Sequence, residues 1–482
     1  MNRIKNGLVM VLLALMALLI VACGEEPSNT AIIEEEPMAE EEHASEPAAT
    51  QEVASEAPTA QEQAGEAAAV EESTPAGPVE LVVWAEGNTQ QTMTSDPEGQ
   101  GRYALYLKQQ FEAENPGVTV KIEYHGWDQE LRQNLMNSLL ANTAPDIVVG
   151  ENFFQQYAEL GALVPLDNHI ADIKDNLVEG TYKAAVYNGQ IYGLSSFTGV
   201  FSFERNCAVV QAAGFDCNTP PQTWEELLTQ SQAITQQGQG QYYGHTLQGP
   251  IGSGLGSIFR VAVYLAQADA PMCKDESCTQ PWFNHPNAGG VMAFLREMNR
   301  TTPPGLSFNP DEGQIYSQLF QGLSAYQIAG SWHINWAKET GCQDCRYSPV
   351  PKPAGGTNAS IIVGNAIYAV LAQSQHPDLA AKWVKLVASD GAQDLVYPAL
   401  GRLPSTRSAL QKLHPTVDAA TQAYIDELLN NENLGILPQW RKDPQQMWTI
   451  YNEMLTRVLT TEDPIQQILD EAQAAAEAVA SQ

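Results

Sequence analysis

Several polar side chains stand where a small molecule could bind, directly after stretches that are predicted to be buried strands. Glu86 follows the first of these strands, and Glu151 and Asn152 follow the third. Asn365 lies between two apolar strand pieces, an unusual place for an amide unless it turns the chain or meets a ligand. In open α/β sheets, ligands bind beyond the carboxyl ends of the strands. We therefore expect these four residues to hydrogen-bond a polar ligand, with solvated surface positions as the alternative.

Glu86 and Glu151 could also form the pair of carboxylates that a glycoside hydrolase uses. Nothing in their sequence context distinguishes catalytic acids from acids that only accept hydrogen bonds. The chain contains no Gly-x-Ser-x-Gly, His-Glu-x-x-His or Gly-x4-Gly-Lys-Ser/Thr motif, and its eight histidines are scattered singly. We therefore expect no catalytic residues, cofactor or metal, and we keep a secreted glycoside hydrolase as the less favoured alternative.

Strand and helix patterns alternate along the folded part of the chain. An apolar run at residues 79–84 precedes an amphipathic helix, an alternating strand at 118–124, a leucine-rich helix and a buried strand at 145–149. This order predicts an α/β fold with a parallel sheet and helical crossovers. Thr223-Trp224-Glu225-Glu226 forms a capping box that opens another helix. Other helices are predicted at residues 256–268, 286–300, 380–389 and 464–479, with strand pieces at 361–363 and 366–370.

The chain is strongly acidic, with 57 aspartates and glutamates against 24 lysines and arginines and a net charge of −33. A surface this negative repels phosphate backbones, so we expect no nucleic-acid partner. Fifteen of the glutamates fall in residues 25–78, which contain no lysine, arginine or aspartate. Such a segment buries too little apolar area to fold, so we expect a disordered tether, with a partner-binding acidic tail as the alternative.

The N-terminus has the pattern of a secretory signal. Arg3 and Lys5 precede an apolar run of about 15 residues, which is short for a membrane span. The run ends in Ile20-Val21-Ala22-Cys23, which resembles the lipobox of bacterial lipoproteins. The resemblance implies cleavage of a signal peptide at residues 1–22 and lipidation of Cys23. The protein is then exported and anchored to the cell membrane, facing the periplasm or cell exterior, with residues 23–78 as tether.

Six further cysteines follow Cys23, and their even number in an exported chain indicates disulfides. They allow fifteen connectivities, but three pairs are close in sequence. We favour these local pairs, which are Cys207–Cys217, Cys273–Cys278 and Cys342–Cys345. The spacing of the last four cysteines is also compatible with a zinc site of four thiolates, which an oxidising compartment disfavours.

The order of several short motifs resembles the extracellular solute-binding proteins of ABC importers, in the sugar-binding subgroup that includes maltose-binding protein. Each motif alone is weak, but their order together with the lipobox is a strong signal, and the resemblance covers about residues 79–475. The motifs include Phe111-Glu112-Ala113-Glu114-Asn115-Pro116-Gly117, Pro145-Asp146-Ile147, Tyr187-Asn188-Gly189-Gln190-Ile191-Tyr192-Gly193-Leu194, Pro221-Gln222-Thr223-Trp224, Gly330-Ser331-Trp332, His376-Pro377-Asp378-Leu379 and Gly401-Arg402-Leu403-Pro404.

The resemblance implies a two-lobed periplasmic-binding-protein-like fold of type II, with the ligand cleft between lobes joined by a hinge. By analogy, lobe 1 comprises residues 79–194 and 347–397, and lobe 2 comprises 195–346 and 398–482. The ligand is implied to be a sugar or oligosaccharide, bound by a monomer without a cofactor. Closure around the ligand prepares the protein to dock on a membrane permease.

The resemblance also implies which side chains meet the ligand. Trp332 follows Gly330-Ser331, where the family presents a stacking aromatic, and Phe197 follows a turn that places a cleft residue. Trp448 and its neighbour Trp440 are rivals for a further aromatic platform. Arg402 could clamp a carboxylate or sugar hydroxyls, or pair with one of the many acids. Burial in the core is the alternative for each aromatic residue.

The chain also departs from the family pattern. Gly150 leaves no aromatic ring where maltose-binding protein uses one, Ser195 replaces a proline, and three disulfides are predicted in a region where most relatives lack them. Maltose itself is therefore not assured as the ligand. A polyol, an amino sugar or another polar solute would use similar residues, and a ligand-sensing lipoprotein would share the fold.

Overall fold

The computed structural model describes the folded part of the chain with short gaps. The described residues are 78–85, 89–126, 128–151, 154–250, 256–275, 277–334, 337, 340–342 and 344–482. Cys23, Glu86 and Asn152 lie outside them, as do the side chain of Asn365, the predicted signal peptide and nearly all of the predicted tether. Among the described residues, no helix has the length and hydropathy that crossing a bilayer requires.

Strands are distributed along most of this part of the chain. In chain order they are β1 Val79–Trp84, β2 Val118–Glu123, β3 Ile147–Gly150, β4 Val186–Tyr187, β5 Gln190–Ile191, β6 Gly193–Asn206, β7 Tyr243–Thr246, β8 Ser324–Gly330, β9 Cys345–Ser348, β10 Ser360–Val370, β11 Leu403–Pro404 and β12 Leu434–Gly435.

Helices connect and cover these strands. They are α1 Thr89–Ser95, α2 Arg102–Glu114, α3 Asp128–Ala141, α4 Phe154–Glu159, α5 Asp167–Ile170, α6 Glu179–Tyr182, α7 Cys207–Ala212, α8 Trp224–Gly238, α9 Gly256–Gln267, α10 Ala288–Asn299, α11 Glu312–Phe320, α12 Pro377–Val387, α13 Asp390–Leu395, α14 Arg407–Leu413, α15 Ala419–Asn430, α16 Pro444–Thr460 and α17 Ile465–Ala480.

One main sheet contains strands from early, middle and late parts of the described chain. Its order is β2-β1-β3-β10-β6-β8-β7, with β9 and β11 also pairing with β6 and β12 pairing with β10. β1 runs parallel to both β2 and β3, which confirms the predicted parallel sheet with helical crossovers. The mixed α/β class is therefore confirmed, and the antiparallel strands β6 and β10 lie at its centre.

The predicted helices and strands agree closely with the observed ones. The capping box at α8 is present, because the Thr223 hydroxyl accepts from the Glu226 backbone while the Glu226 carboxylate accepts from the Thr223 backbone. One prediction is wrong. The strand pieces at 361–363 and 366–370 are a single strand, β10, because its hydrogen bonds to β6 continue across residues 364 and 365.

Separate hydrophobic clusters lie at the two ends of the sheet. One packs α2 and α12 against the parallel strands, with Phe111 and Trp383 in edge-to-face contact at a centroid distance of 5.3 Å. Another surrounds β6 and β8 and includes Trp224, Tyr264 and Phe294 from α8, α9 and α10. The two clusters share no residue, but both contain side chains of β6 and β10. These two strands therefore pass from one cluster to the other.

Three disulfides are present among the described residues, and they join Cys207 to Cys217, Cys273 to Cys278, and Cys342 to Cys345. The four sulfurs that could have formed a zinc site are thus held in two separate disulfides. In the part of the chain that the structure describes, no three His, Cys, Asp or Glu side chains are grouped as metal ligands would be.

Candidate functional site

Strand β6 carries an aromatic face to which two of the predicted ligand-binding residues belong. Phe197, Gly199 and Phe201 share this face, because side chains alternate along a strand. The Trp332 ring lies against it at Gly199, where an added Cβ would stand 2.9 Å from the indole Cζ3. Phe201 meets the same ring edge-on, with centroids 5.4 Å apart. Phe197 and Trp332 are therefore brought to one face of one strand.

The Trp332 ring also packs against a second glycine, Gly330, and we call the backbone surface formed by Gly199 and Gly330 the seat of Trp332. Gly330 ends β8, and a Cβ there would lie 2.2 Å from both Cη2 and Cζ3 of the indole. The ring thus packs on the backbone of two neighbouring strands with no side chain between them. Trp332 is only partly buried, so part of its surface is open to a ligand.

Replacing Gly330 by alanine is expected to displace this ring and to lower the free energy of unfolding by about 1–3 kcal/mol, the usual cost of overpacking. The φ angle of Gly330 is not in the left-handed region, so the effect is steric. Urea unfolding followed by near-ultraviolet circular dichroism measures both changes. Gly290→Ala is the control: a Cβ there meets no atom within 4 Å, and alanine is favoured inside α10, so this variant is expected to lose no stability. Equal stability of Gly330→Ala and wild type would contradict the close packing of the Trp332 ring on Gly330.

A pocket of about 270 Å³ opens beside Phe197. Arg402 lines it too, with its Cζ 5.8 Å from the centre of the Phe197 ring. Tyr103, Tyr368 and Thr92 contribute to the other walls. The pocket therefore combines an aromatic ring, a guanidinium and several hydroxyls, a mixture that can hold a polar molecule and fix its orientation.

A second guanidinium, which the sequence reasoning missed, is buried next to Trp332. The Arg260 side chain is 3% exposed, and its Cζ lies 5.9 Å from the centre of the Trp332 ring and 4.4 Å from that of Tyr316. Its Nη2 pairs with Glu312 Oε1 at 3.2 Å. The signal that could have revealed it is a lone charge inside the apolar helix α9.

The other face of β6 carries a buried carboxyl group. Glu204 is fully buried, and its Oε2 accepts a hydrogen bond from Gln327 Nε2 at 2.6 Å, while Oε1 accepts from the Tyr424 hydroxyl at 3.1 Å. Burial raises the pKa of Glu204 to about 8, outweighing the two hydrogen bonds that lower it. Glu204 is therefore mostly protonated at neutral pH.

His333 lies between this carboxyl group and the aromatic face. Its Nδ1 is 3.9 Å from Glu204 Oε2, and its ring meets that of Trp332 edge-on at 5.8 Å. Burial, followed by the positive charges of Arg260 and Arg402, lowers the pKa of His333 well below its ordinary value. A neutral imidazole faces a neutral carboxyl group, so the contact is not an ion pair at neutral pH.

The rival platforms Trp440 and Trp448 are both in the hydrophobic core. They are 3% and 5% exposed, and their ring centroids are 4.4 Å apart. Both line a cavity of about 20 Å³, together with Gln155 and Arg132, and that is room for one water molecule. In this conformation neither tryptophan presents an open face to a sugar.

The remaining predicted residues lie near strand ends. Glu151 directly follows β3 and is partly buried, but it is not part of the Phe197 pocket. Asn365 is paired with Phe197 in the register of β10 and β6. Two of the predicted polar residues, Glu86 and Asn152, belong to the gaps between described residues.

Arg441 connects segments that the family resemblance predicts to lie in different lobes. Its Cζ is 4.7 Å from the centre of the Tyr187 ring, and its Nη1 is 3.9 Å from Glu159 Oε2. Its Nε donates to the Ser277 carbonyl at 2.8 Å, inside the loop closed by the Cys273–Cys278 disulfide. The Arg441 side chain is 7% exposed and that of Glu159 is 43% exposed, so the guanidinium is buried while its acidic partner remains open to solvent.

Comparison with known proteins identifies the family of this chain. The model of the family described as bacterial extracellular solute-binding protein matches residues 94–394. This match covers more than half of the chain, which therefore belongs to that family of binding proteins and is not an enzyme.

The relatives extend the comparison. A putative binding protein from Brucella abortus is 31% identical over 165 residues, 34% of this chain and 39% of the relative's own length. The diacetylchitobiose binding protein DasA of Streptomyces coelicolor is 23% identical over 398 residues, covering 79% of this chain and 88% of the relative. The solved cyclic alpha-maltosyl-1,6-maltose binding protein from Arthrobacter globiformis superposes with a TM-score of 0.70 at 19% identity, covering 84% of this chain and 99% of that one. The fold is thus that of periplasmic sugar-binding proteins.

Proposed function

We propose that this chain is the substrate-binding lipoprotein of an ABC importer and that it captures a sugar or oligosaccharide. The observation that carries the proposal is the Trp332 ring, seated on Gly199 and Gly330 on the same face of β6 as Phe197. A partly open indole is the surface on which the C–H face of a sugar packs. The neighbouring Arg402 supplies hydrogen-bond donors for hydroxyl groups.

The relatives support the ligand class. DasA is named for binding diacetylchitobiose, and the Arthrobacter globiformis protein for binding cyclic alpha-maltosyl-1,6-maltose. Both ligands are saccharides, and both proteins align along most of this chain. The proposed ligand of this chain is therefore a saccharide too, with Glu86, Glu151, Asn152 and Asn365 as polar contacts.

The arrangement of the cores supports a hinge. β6 and β10 pass between separate hydrophobic clusters, as strands at a hinge would. By analogy with the family, residues 79–194 with 347–397 form one proposed lobe and 195–346 with 398–482 the other. Closure of these lobes buries the ligand, and the closed monomer docks on a membrane permease. Lipidation of Cys23 and the acidic tether hold the exported protein near that permease.

A thermal-shift screen tests the proposal. The full chain is heated with mono- and oligosaccharides, polyols and charged solutes in turn. A ligand present at about a thousand times its Kd adds about 4 kcal/mol to the stability, which raises Tm by several degrees. A saccharide that raises Tm supports the proposal. A shift from a charged solute alone, with no response to any saccharide, would overturn the ligand class.

A further inference from the structure

Arg441 joins two parts of the molecule that have separate hydrophobic cores. Its neighbours Leu437 and Trp440 belong to the cluster that surrounds β6 and β8. Tyr187, whose ring the Arg441 guanidinium contacts, packs instead against a cluster that includes side chains of α3, α4 and β3. The contact therefore links two cores, and this holds wherever the exact lobe boundaries fall.

The Arg441 side chain is anchored on one side of this contact. Its Nε donates to the Ser277 carbonyl at 2.8 Å. Ser277 lies in the disulfide loop, which the Cys273–Cys278 bond closes, and Cys278 belongs to the same cluster as Trp440. The guanidinium is therefore already oriented before it meets the other core, so little side-chain entropy is lost when that contact forms.

The contacts of Arg441 with the other core are of moderate strength. Its Cζ is 4.7 Å from the centre of the Tyr187 ring, which is within the range of a cation–π interaction. Its Nη1 is 3.9 Å from Glu159 Oε2, too far for a hydrogen bond, and that carboxylate is open to solvent, so the pairing contributes little. Nη1 is buried without a hydrogen-bond partner among the described residues, which offsets part of the gain. The Tyr187 ring is therefore the main partner.

The contact lies at the edge of the proposed ligand cleft. A cavity of about 550 Å³ there is lined by Gln155 of α4 from one side and by Gln439 and the disulfide loop from the other. The cavity of about 20 Å³ shares Gln155 and Gln439 with it, so the two walls almost meet at that point. Arg441 is not among the described lining residues of either cavity or of the pocket beside Phe197. It joins the walls of the cleft from outside these spaces.

We propose that Arg441 is a latch between the two lobes, a positioning residue that stabilises the closed conformation through the Tyr187 ring and thereby slows release of the ligand. The inference rests on the proposed function for the two lobes and their hinge. Opening of the lobes breaks the contact with Tyr187 and leaves the hydrogen bond to Ser277 in place. A contact of moderate strength shifts the balance between open and closed conformations without fixing the protein in one of them.

Pulsed dipolar electron paramagnetic resonance of the full chain without ligand measures the separation of the lobes. Nitroxide labels are attached through p-acetylphenylalanine in place of Gln109 on α2 and Gln232 on α8, two exposed positions in different proposed lobes. Wild type is expected to show a population at the separation that this structure gives. Arg441→Ala is expected to lower the ratio of closed to open molecules about fivefold, the size of a moderate cation–π contact.

Matched variants distinguish a latch from a general loss of structure. Tyr187→Leu removes the ring but keeps an apolar side chain, so it is expected to open the lobes as much as Arg441→Ala does. The double variant is expected to be no more open than either single variant, because both remove the same contact. Arg300→Ala is the control and is expected to leave the distances unchanged, since Arg300 pairs with Glu297 and Glu462 within one proposed lobe. Urea unfolding of each variant verifies that it is folded.

The outcomes separate this inference from the proposed function. The latch is refuted, whatever the saccharide screen shows, if Arg441→Ala has the distances of wild type, if Arg300→Ala opens the lobes equally, or if the effects of Arg441→Ala and Tyr187→Leu add. If Arg441→Ala opens the lobes as expected while no saccharide raises Tm, Arg441 controls the lobes but the proposed function fails. When a saccharide is found, stopped-flow measurement is expected to show that it leaves Arg441→Ala about fivefold faster than wild type. Equal dissociation rates would overturn the latch.

Discussion

Replacing Trp332 by alanine is expected to weaken binding of the stabilising saccharide about 30-fold. In wild type the indole ring covers one face of the sugar, and this contact contributes about 2 kcal/mol to the binding free energy through buried apolar area and stacking. The alanine variant loses that contribution. Isothermal titration calorimetry of variant and wild type measures the two dissociation constants. Because the ring packs on backbone rather than filling the core, we expect the variant to remain folded.

Trp282→Ala is the matched control for this experiment. Trp282 is also partly exposed, but its ring packs against His285 at 4.2 Å and not against β6. The control is expected to bind the saccharide like wild type. Equal affinities of Trp332→Ala and wild type would remove Trp332 from the site and leave the proposed function without its main observation.

Replacing Glu204 by glutamine is expected to stabilise the protein by about 3 kcal/mol at pH 7. The pKa of Glu204 is about 8 in the folded protein against an ordinary 4.5, so the folded state keeps a proton that the unfolded state releases. The free energy of unfolding of wild type therefore falls as pH rises from about 4.5 to about 8. Glutamine does not titrate, so this loss disappears in the variant. Its amide can still accept from Gln327 and can donate to Tyr424, whose hydroxyl also donates to the Ala329 carbonyl.

Urea unfolding at pH 5 and at pH 7.5 measures this effect. The stability difference between variant and wild type is expected to be small at pH 5 and several times larger at pH 7.5. Buried His333 and His245, whose pKa values are lowered by burial, are common to both proteins and cancel in the difference. Glu453→Gln, at an exposed position of α16, is expected to change stability by less than about 0.5 kcal/mol at either pH. A difference that does not grow with pH would contradict the buried, protonated state of Glu204.

The fold was largely predictable because its signals are local. The capping box of α8, the alternation in β2 and the apolar runs of β1 and β3 each depend on a few neighbouring residues. The one wrong element, β10, was divided because Gly364 and Asn365 interrupt its apolar pattern. The strand continues there through backbone hydrogen bonds to β6, which depend on a partner distant in sequence.

The candidate site was predictable only in part, because most of its contacts join residues that are distant in sequence. The family motif around Gly330 pointed to Trp332, but the other glycine that its ring packs on, Gly199, lies 133 positions before Trp332 in the chain and gave no local signal. Arg260 and Glu204 were missed because their importance comes from burial, which a helix or strand pattern does not report for single charges.

Titration calorimetry with the saccharide that gives the largest shift in Tm, followed by mass spectrometry of the recovered ligand, tests the central claim most directly. Capture by a binding protein predicts saturable binding of one saccharide per chain and recovery of that saccharide unchanged. Absence of binding by every saccharide, or recovery of a cleaved product, would contradict the claim that this chain captures a sugar for import.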